Sequence, residues 1–219
     1  MSFTLRITLL TAILCGPSFC WPDSALKQVR FSQNTSMAHN QVYYSDVSAF
    51  PISIHAIVLQ GTQKQIARLT HWLDEIRKVP HGKKMIDDIL LSGHQLLIRH
   101  SEWALQSSGR TLAPITDNLT NGKGEDVEIM FDTRIPEEGS HWVFDSHNQP
   151  IQFTAVENLF HELAHARHLT NGTWRYYNSE AQAIEEENIF RTQLAHKMGQ
   201  KKVSLRMGKD GIQFWRPSH

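Results

Sequence analysis

The chain has 219 residues, 40% of them hydrophobic, which suits one folded domain with an N-terminal appendage. Its 22 basic and 22 acidic residues balance, so neither a nucleic acid nor an acidic membrane surface is indicated as a partner. Both cysteines, Cys15 and Cys20, lie in the first twenty residues, which excludes a disulfide framework or a thiolate metal site beyond them.

In chain order, Arg6 precedes the apolar run Ile7–Gly16, and Pro17, Ser18, Phe19 and Cys20 follow. This pattern predicts a secretory leader over residues 1–20, with an apolar run too short to span a bilayer. Residues 21–60 are polar and read as an irregular N-terminal segment holding one apolar run, Ile52–Leu59. The domain proper is expected over 61–219. From Thr62 to Val79, Ile66, Leu69, Leu73 and Ile76 recur at helical spacing, with Trp72 beside the stripe and Pro80 ending the helix. Lys84–Leu91 predicts a second helix stopped at Gly93, and Gln95–His100 a strand. Ser107–Lys123 reads as a loop. Val127, Ile129 and Phe131 alternate with more polar residues, as in a half-buried strand, and this strand is expected to form a cleft edge. His141–Asp145 predicts another short strand, and a turn at Ser146–Pro150 leads to a helix over Phe153–His168. Thr154 and Glu157 form a capping-box pair at its start, and Asn171-Gly172 closes it. A last helix is expected over Asn178–Met198. The plan is α+β: helices, a small antiparallel or mixed sheet, then two C-terminal helices.

The chemistry is concentrated in His161-Glu162-Leu163-Ala164-His165. Two imidazoles four residues apart share one helix face, close enough for both to hold one Zn²⁺. Glu162, between them, is placed as general base toward the attacking water. Apolar or small neighbours (Leu159, Phe160, Leu163, Ala164, Ala166) suit a buried active-site helix, with Arg167 as an exception. His168 is expected to be a supporting or solvent-facing residue rather than a metal ligand.

A catalytic zinc needs a third protein ligand and an open position. In the next helix Glu180, Ala183 and Glu187 share one face, and small Ala183 lets two helices approach. Glu180 is the favoured ligand. Glu187 is the alternative ligand, or else a carboxylate orienting a zinc histidine. Tyr176, Tyr177 and His196 are candidates for an oxyanion donor.

The string from His161 to His168, with Gly172 beyond it, resembles the NleD-like bacterial effector zinc peptidases, peptidase family M91. In that family HExxHAxH is followed by E-x-x-A-V, by a glutamate or serine before N-x-x-R, and by L-R-x-x-Y. Here Glu180-Ala181-Gln182-Ala183-Ile184 matches the second element and Glu187-Asn188-Ile189-Phe190-Arg191 the third. Leu205-Arg206 begins the fourth, and Lys209 stands where its tyrosine would be. The resemblance implies a compact gluzincin-type fold, Glu180 as third ligand, and a bacterial protein delivered into host cells, where some relatives cut signalling kinases.

The expected function is a secreted, zinc-dependent endopeptidase with one Zn²⁺ per chain, acting as a monomer on a protein substrate such as a host signalling protein. No nucleic acid and no stable membrane span enter this expectation. The alternatives are a periplasmic housekeeping zinc peptidase and a catalytically weak, zinc-stabilised binding module.

Overall fold

A computed structural model describes residues 39–42, 57–102 and 109–207. The leader expected at residues 1–20 and the Lys209 position lie outside the described residues. The chain forms β1 (His39–Val42), β2 (Ile57–Gly61), α1 (Gln63–Arg77), α2 (Pro80–Leu91), β3 (Leu96–His100), β4 (Gly109–Leu112) and β5 (Val127–Phe131). It continues through β6 (His141–Phe144), β7 (Pro150–Phe153), α3 (Ala155–Thr170) and α4 (Ser179–Lys197). The α+β class is as expected, and the main sheet is mixed.

Five strands lie in the order β1-β2-β3-β5-β4. β2, β3 and β5 run parallel, with Ile57 opposite Leu96 and Leu96 opposite Val127, while β1 and β4 add antiparallel at the two edges. Apolar residues at period two along the parallel strands (Ile57 and Leu59, Leu96 and Ile98, Val127, Ile129 and Phe131) are buried. They form one core with Leu69, Leu73 and Ile76 of α1, Ile86 and Ile89 of α2, and Leu159, Phe160 and Leu163 of α3. Trp72 is fully buried within it, edge-on to Phe131, and its Nε1 donates to Glu137 at 2.6 Å. No helix among the described residues is long and apolar enough to cross a membrane.

Four expectations are corrected. The segment read as irregular supplies β1 and β2, and β2 carries part of the core. Pro80 opens α2 as its first residue, where a missing N–H costs nothing, instead of ending α1, which stops at Arg77. The Ser107–Lys123 loop contains β4, held by pairing to β5 rather than by its own composition. Finally, β5 is flanked by β3 and β4, so β4 and not β5 is the outermost strand on that side.

The hairpin β6–β7 leads directly into α3. Gly172 ends the α3 region at φ 64°, and a Cβ there would meet backbone atoms of Asn118, Gly122 and Lys123 at 2.5–2.7 Å. Only glycine lets that loop pack under the helix end.

Candidate metal centre

Helix α3 is buried over nearly its whole length. Thr154 caps it by accepting from the Glu157 N–H at 3.2 Å, while Glu157 accepts from the Thr154 N–H at 2.9 Å. Helix α4 packs beside it, with Phe160 and Phe190 stacked at 4.1 Å and Ala183 fully buried. The fixed helix pair turns His161 and His165 of α3 toward Glu180, in the first turn of α4.

His161 Nε2 and His165 Nε2 stand 3.2 Å apart. Glu180 Oε1 lies 3.4 Å from the first and Glu180 Oε2 3.4 Å from the second. Donors arranged tetrahedrally at the usual zinc distances stand about 3.3–3.4 Å from one another. The three side chains therefore fit a zinc ion, and they are the one such His/Asp/Glu group among the described residues.

Glu187, on the same face of α4 about two turns further along, is fully buried on the other side of His161. Its Oε2 is 3.1 Å from His161 Nδ1. A carboxylate only accepts, so this contact places hydrogen on Nδ1 and leaves Nε2 directed at Glu180 and His165. Glu187 also accepts from Arg191 at 2.8 Å and from Arg206 at 2.8 Å. Arg191 in turn pairs with Glu157 at 3.0 Å, so the residue that caps α3 also anchors this chain of charges.

Arg206, which the sequence motif contains without indicating its role, closes this network. Its backbone is clamped by the Asn188 side-chain amide (2.7 and 3.0 Å) and lies against Asp145, while the Met207 N–H donates to the Phe144 carbonyl at 2.7 Å. Its guanidinium reaches Glu187 at 2.8 Å and Glu180 at 3.0 Å and lies over the Phe153 ring. A fully buried glutamate and a partly buried one on the same helix face demand a cationic partner, and that demand is the available signal.

Charge compensation shifts these groups. Burial opposes charge on His161, but Glu180 and Glu187 outweigh it and raise its pKa to about 9. Burial likewise opposes ionisation of Glu180, yet His161 and His165 hold it well below the usual carboxylate range. Glu187 is lowered to about 2, with burial overcome by His161, Arg206 and Arg191. A divalent cation competes for the position of the His161 proton.

Glu162 is outside the three-residue group and contacts the edge strand, where Thr111 Oγ1 donates to its Oε2 at 2.6 Å. Trp174 packs on the His165 ring at 5.5 Å. His168 is buried outside the three-residue group, with Nδ1 against Thr173 and Gln182 and Nε2 3.6 Å from Glu186. Arg167, the exception in the motif, pairs with Asp88 of α2 at 2.7 Å and Glu186 of α4 at 2.6 Å, and so ties three helices together. The candidate oxyanion donors are placed differently. Tyr176 and Tyr177 sit in the loop before α4, 49% and 88% exposed, packed edge-on to each other. His196 is exposed in the last turn of α4, about 24 Å along the helix axis from Glu180.

The model of peptidase family M91, described as effector protein, matches residues 55–199. The chain belongs to the M91 peptidase family. A search of curated proteins finds no match. Among solved structures, the light chain of botulinum neurotoxin serotype HA aligns at 13% identity with a TM-score of 0.39, covering 64% of this chain and 50% of that one. The type G light chain aligns at 12% identity with a TM-score of 0.38, covering 71% and 60%. The M91 chain thus spans 50–60% of the length of those light chains.

Proposed function

We propose that this M91 peptidase is an exported endopeptidase that cuts an extended segment of a protein substrate, with a host protein as its target. His161, His165 and Glu180 hold one zinc ion, and Glu162 is the general base. The observation that carries this reading is the meeting of three side chains, the two imidazole Nε2 atoms 3.2 Å apart and each 3.4 Å from one oxygen of Glu180, with Glu162 next to them in sequence.

Zinc, when bound, supplies Lewis acidity toward water and the scissile carbonyl. Glu162 takes a proton as one water O–H breaks; the electron pair stays on the water oxygen, which attacks the carbonyl carbon. The same proton then passes from Glu162 to the departing amine as the C–N bond breaks. Glu187 fixes the ring orientation of His161, and Arg206 holds Glu180 in line with both imidazoles. The substrate strand adds along β4, the outermost strand and the one beside Glu162.

The test is cleavage of a quenched fluorescent peptide library by the purified protein, with and without a chelator. Cleavage that stops on chelation and returns with zinc supports the reading. Absence of cleavage across the library, with zinc bound, favours the binding-module alternative and overturns it. Tracking a tagged chain by fractionation tests delivery to the host, which retention in the bacterial envelope would contradict.

A further inference from the structure

Edge strand β4 is fitted to one side chain of the active-site helix. Thr111 Oγ1 donates to Glu162 Oε2 at 2.6 Å and lies 3.1 Å from the Glu162 carbonyl oxygen. Gly109, two residues earlier on the same face of the strand, leaves room for that carboxylate. A Cβ at Gly109 would stand 2.5 Å from Glu162 Cγ and 2.9 Å from Cδ and Oε1. A short hydroxyl-to-carboxylate bond is charge-assisted and directional. Oε2 is therefore tied to the strand, while Oε1 lies where Gly109 presents no side chain.

We propose that Thr111 is a positioning residue for Glu162: from the outermost strand its hydroxyl fixes Oε2 and leaves Oε1 as the oxygen that receives the water proton. This rests on the reading of Glu162 as general base. The strand along which substrate adds is then also the strand that aims the base, so one element sets both partners of the reaction. The bland reading is a strut between β4 and α3, since the same hydroxyl also lies near the Glu162 carbonyl oxygen. A strut affects melting alone; a positioning residue affects turnover without affecting substrate affinity.

Zinc-loaded wild type, Thr111→Val, Thr111→Ala, Thr111→Ser and Glu162→Gln separate these readings. Acetohydroxamate, which on binding zinc gives its proton to a neighbouring base, is titrated into each by calorimetry. Both kcat and KM are measured on a peptide that wild type cleaves, and each variant is melted. The two hydroxyl-free variants should lose about 10–100-fold in hydroxamate affinity and in kcat, with KM unchanged. Thr111→Ser, which keeps the hydroxyl, should stay within about threefold of wild type. Wild-type hydroxamate affinity in Thr111→Val and Thr111→Ala, alongside weak binding by Glu162→Gln, overturns the positioning role and leaves the base intact. Wild-type affinity in Glu162→Gln as well overturns the base reading itself.

Discussion

Replacing Glu187 by glutamine removes one negative charge from the most enclosed ion cluster in the described structure. Glu187 is fully buried and meets Arg191 and Arg206 at 2.8 Å each and His161 at 3.1 Å. Removing one partner of a buried pair costs about 3–5 kcal/mol, because the charge left behind is neither solvated nor paired. Here Arg191 keeps Glu157 at 3.0 Å and Arg206 keeps Glu180 at 3.0 Å, so the lower end applies, about 3 kcal/mol. For a chain of this size that lowers the melting temperature by roughly 6–12 °C. The charged acceptor that fixes the His161 Nδ1 hydrogen is also replaced by a neutral, weaker amide oxygen, and zinc affinity should fall about 10-fold. Calorimetric melting of the metal-free protein and competition with a chromophoric chelator measure the two effects. Glu185→Gln is the control: its partner is Arg175, both are exposed, and the change should stay within about 0.5 kcal/mol. A Glu187→Gln protein that melts with wild type and binds zinc as tightly would refute the role assigned to this carboxylate.

Glu180→Ala should lose zinc by metal analysis while Glu187→Ala retains a measurable fraction; the reverse order would make Glu187 the third ligand. Glu186 bridges His81 at 2.6 Å and Arg167 at 2.6 Å, and these partners with His168 overcome burial to hold its pKa below 4.5. Its depressed folded pKa contributes stability that is present above pH 4.5 and lost as pH falls through the folded value. Melting temperature followed from neutral to acid pH should therefore drop less steeply in Glu186→Gln than in wild type, and parallel curves would exclude the linkage.

What the sequence makes legible is what is local. The Thr154–Glu157 box, the Asn171-Gly172 end and the histidines one turn apart are each decided within a few residues, so α3 is readable with little error at its ends. The face shared by Glu180, Ala183 and Glu187 follows from helical period, and the structure turns that face toward α3. Strand order is not local. Val127–Phe131 has the alternation of a half-exposed strand, yet β4 covers its flank, and the four residues of β4 carry no pattern of their own. Pro80 carries two meanings, helix end and helix start, and only the packing of α2 on α3 selects between them. Arg206 meets glutamates 19 and 26 residues away from a tail without periodicity, so its place depends on the Asn188 clamp, which no local pattern announces.

In the proposed mechanism Glu162 acts beside a zinc ion held by His161, His165 and Glu180. Peptide cleavage by Glu162→Ala, on protein whose zinc content has been determined, tests it most directly. One zinc per chain and no cleavage above background are expected. Cleavage at the wild-type rate by that variant would contradict it.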